Sequence, residues 1–367
     1  MTLEHQSKNK KILLIVLALI VLAGIFCVTK FTILESSEPA VRTLVENFGQ
    51  TLKNISLLSP TVAQELESNY KDFVSPELLN EWTADPTKAP GRLTSSPWPE
   101  RIEIIGLNKT SADTYFVQGE IVEMTSSGAA EKQPVVLIVQ KSESSGKRWL
   151  IISVLTGSRQ NEVSSANFGN EQLEKAITGY LLTQSSFSWK TRDDSHNFCV
   201  IENLKPENEL FPLYVWANCG EYVIENGQLI TLSGASGPVK INYPNELSFY
   251  DVSRFSHEVP GDGSRYTSDI KRIFPEDVWP RVFDFDRKSI TSRLENLAIV
   301  NISSWEAIKQ AVNSCEAKSA FQNHSREVTV ELKSGNKLTA IEPKIDDIMK
   351  IVSAAEDKCG RIPIATE

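Results

Sequence analysis

Apolar and polar positions follow different rhythms in different stretches of this chain. From Ile12 to Thr29 there is no alternation at all, only the uncharged run ILLIVLALIVLAGIFCVT between Lys11 and Lys30. At the helical rise this run spans roughly 27 Å, close to the hydrocarbon thickness of a bilayer. From Ala40 to Asn80 apolar residues recur at helical spacing. Val41, Leu44, Val45, Phe48 and Leu52 form one stripe and Val62, Leu66, Tyr70 and Phe73 another, predicting two helices broken near Ser59-Pro60. The Pro/Ser/Gly-rich passage TADPTKAPGRLTSSPWPE follows, and then four β-branched runs, Arg101–Leu107, Thr114–Met124, Val135–Lys141 and Trp149–Leu155. Helices followed by consecutive strands predict an α+β layer pair in which a curved sheet wraps the helices.

A polar linker, 157–172, marks a boundary. Beyond it the short helix LEKAITGYLL leads into the strand-like runs FCVIENL, LFPLYVWANCGEYVIE, QLITLSG and PVKINY. Turn signals separate them at Asn226-Gly227, Ser236-Gly237-Pro238 and Pro260-Gly261-Asp262-Gly263, so 173–290 reads as a mostly β domain. In the last region, 300–362, Trp305, Ile308, Val312 and Cys315 share a helical stripe. Val328, Val330 and Leu332 alternate into the turn Ser334-Gly335-Asn336, and Leu338 and Ala340 continue the return strand. A second helix follows Pro343 on Ile345, Ile348, Ile351, Val352 and Ala355, with Glu342, Asp346 and Asp347 at its positive end. The expected fold class is α+β multidomain with one N-terminal transmembrane helix. Its parts are a tail 1–11, an anchor 12–34, an α+β domain 38–156, the linker, the mostly β domain and a small α-β-β-α C-terminal module.

Charge sets orientation and excludes one class of partner. Three Lys and one Glu in the tail precede the apolar run, whereas Glu35 and Glu38 follow it, so the N-terminus is expected in the cytoplasm and an acidic body outside it. Cleavage as a signal peptide needs small residues that Ile25-Phe26-Cys27-Val28-Thr29 does not supply, and Phe26 before Cys27 does not fit a lipidation box. The net charge of −9 over 367 residues lacks the clustered Lys and Arg that bind a phosphate backbone, so no nucleic acid is expected. Outside the anchor the cysteines fall into two local pairs, Cys199 with Cys219 and Cys315 with Cys359. Each pair closes a loop as a disulfide in an oxidising compartment, the alternative being four buried free thiols. Zinc is not expected, because no CxxC occurs and His5, His196, His257 and His324 are scattered.

The string APGRLTSSPWPERIEI, Ala89 to Ile104, has YKDFVSPELLNEW before it, GEIVEMTSS after it and a closing KRWLIISV. It resembles a module of secreted or membrane-anchored bacterial proteins that carries no assigned activity. The helix-then-sheet order over residues 40–156 looks like the NTF2-like, or cystatin-like, fold. That superfamily holds pocket enzymes, binding modules and accessory domains of cell-wall transpeptidases, so the resemblance implies a fold and an envelope setting and no reaction. YVWANCGEY and SGPVKINYPNELSFYD likewise resemble bacterial extracytoplasmic sequences.

Candidate chemistry is sparse. Ser144-Ser145-Gly146-Lys147 and Ser334-Gly335-Asn336-Lys337 match SxxK but fall in expected hairpin loops, where serine and lysine do not share a helix face. A Cys/His nucleophile competes with the disulfide pairing. Asp284 with Asp286, and Glu120 with Glu123, are carboxylate pairs of the kind 47 acidic residues produce by chance. Asp262 reads as a turn residue and His324 as a lone histidine. The sequons at Asn54, Asn108, Asn301 and Asn323 matter only in a eukaryotic glycosylation system. Trp82, Trp98, Tyr115 and Trp149 are the candidate lining of an NTF2-like cavity, against the alternative of core packing. Tyr115 and Glu123 share a strand face that Glu120 does not. The expectation is therefore a membrane-anchored protein that binds or scaffolds an envelope protein or cell-wall component, with no cofactor. A small-molecule enzyme or ligand-binding protein using that cavity is the alternative.

The anchor makes a direct prediction. Carbonate washing at high pH leaves the full chain in the membrane pellet and releases a chain lacking residues 1–34; release of both would show that the apolar run does not span.

Overall fold

Three helices, one more than the stripes predict, open the computed structural model: α1 (Glu38–Thr51), α2 (Val62–Tyr70) and α3 (Pro76–Ala84). The third begins where Ser75 Oγ accepts a hydrogen bond from the Leu78 amide at 3.2 Å and Pro76 takes the first helical turn. The structure describes residues 37–142, 146–158, 160–161, 170–208, 210–245 and 250–367. The expected tail and anchor, with Cys27, lie outside these residues. Among the described residues no helix is long and apolar enough to cross a membrane.

Strands β1 (Trp98–Ser111), β2 (Thr114–Thr125), β3 (Gly128–Ser142) and β4 (Arg148–Thr156) form an antiparallel meander in chain order, and β5 (Gln160–Asn161) pairs with β3. Alternation gives this sheet two apolar faces. On the inner one Tyr115, Val117, Ile121, Val135, Leu137, Val139 and Ile151 pack against the three helices. On the outer one Phe116, Val136 and Leu155 pack against residues of the C-terminal region.

The second region opens with α4 (Glu171–Leu181) and continues as the antiparallel sheet β6 (His196–Asn203), β7 (Leu213–Glu225), β8 (Gln228–Asn242) and β9 (Ser256–Glu258). The β7–β8 turn is the expected Asn226-Gly227, both with positive φ. Ser236-Gly237-Pro238, expected as a turn, lies instead inside β8. Strand β9 covers only Lys240 to Asn242, so Pro238 sits on an open edge where its missing N–H costs nothing. Helices also enter the end of this mostly β region, as α5 (Tyr266–Ile273) and α6 (Trp279–Phe283).

The longest element is α7 (Arg287–Asn313), started by Asp286, whose carboxylate accepts from the Lys288 and Ser289 amides. The predicted stripe on Trp305, Ile308 and Val312 is only its C-terminal half. Its N-terminal half packs Ile290, Leu294 and Ala298 on Phe198, Val200 and Trp216 of the second sheet, and its C-terminal half packs Ile308, Ala311 and Val312 among Phe116, Val136 and the third sheet. Arg293, nearly buried, reaches Glu174 of α4 at 3.7 Å and Glu202 of β6 at 3.8 Å, and burial raises both carboxyl pKa values.

The third sheet has the order β12-β11-β10-β13, from β10 (Ala317–Gln322), β11 (Glu327–Leu332), β12 (Lys337–Ile341) and the terminal β13 (Ile364–Thr366), which runs parallel to β10. With α8 (Asp347–Cys359) the order is α-β-β-β-α-β rather than the expected α-β-β-α. The added strand AKSAFQ buries only Ala317, Ala320 and Gln322 inward, too little apolar volume to register as a strand in the sequence. Glu342, wholly buried, caps α8 by accepting from the Asp346 and Ile348 amides at 2.9 Å.

Residues 41–367 form one compact unit, and α7 contributes to two of its cores. Shortening Ile308 to Ala is therefore expected to cost about 2–5 kcal/mol. Calorimetry of the body should show this as a downward shift of one shared transition, and a variant that moved only one of several separate transitions would contradict the shared core.

Candidate functional site

The aromatic residues proposed to line a cavity do not line one together. Trp82, 2 % exposed, lies on the concave face of the first sheet, 6.3 Å from Phe48 in a stacked arrangement and 5.7 Å from Tyr70 edge-on. Tyr70 donates its hydroxyl to the Pro90 carbonyl at 2.7 Å, and burial raises its pKa. Tyr115 meets Trp149 edge-on at 5.2 Å, and Lys141 Nζ stands 5.9 Å over the Trp149 ring. Trp98 is half-buried and donates Nε1–H to Glu100 at 2.7 Å. Trp82 and Tyr115 thus belong to the core on the inner face of the sheet, with Trp149 at its margin.

The other singled-out groups have structural partners or stand apart. Glu123 is buried on the same face as Tyr115, yet eight residues of strand separate them, roughly 26 Å. Glu120 pairs with Lys132 at 3.0 Å. Asp284, Asp262 and His324 are exposed, and Asp286 is the cap of α7. Asn301 bridges Leu297 and Ile341, and Asn323 orders the turn before β11. Of the SxxK matches, Ser334–Lys337 forms the β11–β12 turn, whereas Ser144 and Ser145 lie outside the described residues. No group of three or more His, Cys, Asp or Glu among the described residues is placed to hold a metal ion.

Both cysteine pairs are bonded. Cys199 and Cys219 stand directly opposite each other on β6 and β7, and Cys315 joins the end of α7 to Cys359 at the end of α8. The first bond joins neighbouring strands of the second sheet, and the second clamps the two helices of the last region.

Open space lies between the N-terminal helices and α7. One cleft of about 580 Å³ runs beside β4 from Glu81, Trp82 and Lys88 to the β7–β8 turn, with Glu295 and Ile299 as its α7 wall, so Trp82 reaches a cleft wall as well as the core. At its end Ser158 donates its amide to Asn296 Oδ1 at 2.6 Å, receives Asn296 Nδ2–H on its carbonyl, and donates Oγ–H to Glu295. A Cβ on Gly157 would stand 2.2 Å from Asn296 Oδ1, so this approach requires glycine. A second cleft, of about 420 Å³, is walled by Val136, Ile138 and Leu155, by Asp194, His196, Val223 and Ile224, and by the α7 face from Ile302 to Gln310. The two share Ser153 and Leu155.

A buried carboxylate shapes the second cleft. Glu221 accepts from the Thr191 amide at 2.7 Å, from Thr191 Oγ1 at 2.9 Å and from the Ser195 hydroxyl, ordering the loop that delivers Asp194 and His196. Burial works to raise its pKa, and these hydrogen bonds outweigh it and hold it low. His196 is 4 % exposed and stacks on Phe198 at 6.0 Å. Burial first, then Lys309 and Arg326, push its pKa from 6.5 down to about 4, so the imidazole is neutral at pH 7. The sequence holds one signal for it, since His196, Phe198 and Val200 alternate on one strand face.

No protein-family model and no curated protein sequence matches the chain. Among solved structures it is similar to an NTF2-like protein involved in plasmid conjugation, at 6 % identity over 59 % of this chain and 93 % of that one, with a TM-score of 0.19. So low a score carries no argument about fold or function.

The histidine makes stability depend on pH. The unfolded chain takes up the imidazole proton near pH 6.5 and the folded one only near 4. Stability is thus whole above the higher value and falls on acidification toward the lower, by on the order of 3 kcal/mol. The raised carboxylates Glu174, Glu202 and Glu342 act in the opposite sense. Subtracting the denaturation profile of His196→Gln from that of the parent isolates the histidine, and a flat difference between pH 6.5 and 4 would refute the assignment.

Proposed function

We propose that the protein is a single-pass, membrane-anchored extracytoplasmic protein that binds or scaffolds an envelope component through its outer surface. The observation that carries this reading is the filled concave face of the first sheet. Phe48, Tyr70 and Trp82 are at most 2 % exposed there, so the cavity that an NTF2-like pocket enzyme would need is taken up by core. The order of three helices and a four-stranded meander supports the NTF2-like reading of 38–156. Placement follows from the uncharged run Ile12 to Thr29, the lysines before it and two disulfides suited to an oxidising compartment. The body then presents large apolar side chains such as Leu58 at 75 % and Ile105 at 70 % exposure to whatever it meets.

Photo-crosslinking residues introduced at Leu58, Ile105 and Leu210, followed by purification from solubilised membranes, test the reading. A discrete adduct from at least one position, absent without irradiation, is expected. Blank lanes from all three would sink it.

A further inference from the structure

The cleft of about 420 Å³ lies on the outer face of the first sheet, opposite the filled one, and the anchoring reading makes no use of it. Its α7 wall carries Ser303, 6 % exposed, whose Oγ has no hydrogen-bond partner among the described residues. A buried hydroxyl that has given up water for nothing is rare in folded proteins, and it points to a group supplied from outside the chain. His196 lines the same cleft and brings an imidazole with one donor and one acceptor nitrogen.

The charges around the cleft are of both signs. Lys309 and Arg326 act on His196 from the cationic side and Asp194 and Asp347 from the anionic side, so the cleft offers no field of a single sign to hold an ion. The two wall carboxylates are already engaged, Asp194 by Arg192 and Glu306 by Lys309. The remaining wall is largely aliphatic, with Val136, Ile138, Leu155, Val223 and Ile302. A volume of this size sits within the range of small-molecule sites.

We propose that this cleft binds a small uncharged molecule with an apolar body and a hydroxyl head, the hydroxyl hydrogen-bonding to Ser303 and His196. The inference stands apart from the membrane anchor and from any protein partner.

N-acetyl-tyrosinamide and N-acetyl-phenylalaninamide are suitable probes, because both are uncharged and soluble and they differ by one hydroxyl. Each is titrated into the full chain held in lipid nanodiscs, with empty nanodiscs subtracted. The tyrosine derivative is expected to bind once per chain, about fivefold to tenfold more tightly than the phenylalanine derivative, the worth of one net hydrogen bond. Ser303→Ala should bring the two probes to within about twofold of each other. Its unliganded melting temperature should stay level or rise, since no hydrogen bond within the protein is lost. His196→Gln, which keeps a donor and an acceptor, should retain part of the preference. The proposal is overturned if neither probe binds, if the two bind alike to the parent chain, or if Ser303→Ala leaves the preference intact.

Discussion

The burial of one long helix around most of its circumference is the constraint on which the body of this protein depends. Ile302, Ser303, Ser304 and Trp305 are consecutive and all buried, and four consecutive residues cover a full turn. A helix wrapped in this way belongs to no single layer. Helix α7 faces Phe198 and Trp216 of the second sheet along its first half, and Phe116 and Val136 of the first sheet along its second. The third sheet and α8 close over what remains, held by the bond from Cys315 to Cys359. Polar contacts refine this packing: Arg293 fixes α7 to α4 and β6, and Asn296 fixes it to the end of β4 at Gly157 and Ser158.

From that arrangement follows the distribution of filled and open space. The three N-terminal helices fill the concave side of the first sheet with aromatic rings, which interlock there edge-on and stacked. The opposite face is only partly covered by α7. Open clefts remain along it, and the polar side chains that reach them do so by tertiary placement. Glu221 lies behind one of them: its carboxylate is buried and holds the loop that sets Asp194 and His196.

Much of the local structure was legible because it rests on short-range rules. Asn226-Gly227 made a hairpin turn since only those residues take positive φ easily, and the alternation in Val328, Val330 and Leu332 marked a strand buried on one side. Helix α3 has a sound start signal in Ser75-Pro76, but its apolar face is too short to show as a stripe. Strand β10 is hidden because alanines make a weak alternation. The break expected at Ser236-Gly237-Pro238 failed to appear because an edge position suits proline, and being at an edge is a property of the sheet. The aromatic quartet looked like a pocket lining because aromatic residues serve cores and pockets alike.

By itself the sequence determined the α+β class, the approximate start of most elements and the positions of the four cysteines that are joined. It also determined the expectation of an anchor over 12–34, which rests on hydrophobicity alone. These are properties of neighbours along the chain, carried by side-chain periodicity and backbone preference. Only the tertiary structure decided that α7 is shared between sheets, that the concave face is full, and that Ser303 and His196, more than a hundred residues apart, line one cleft. Such facts depend on which surfaces meet, and a helix or strand pattern records that a face is apolar without recording what will cover it.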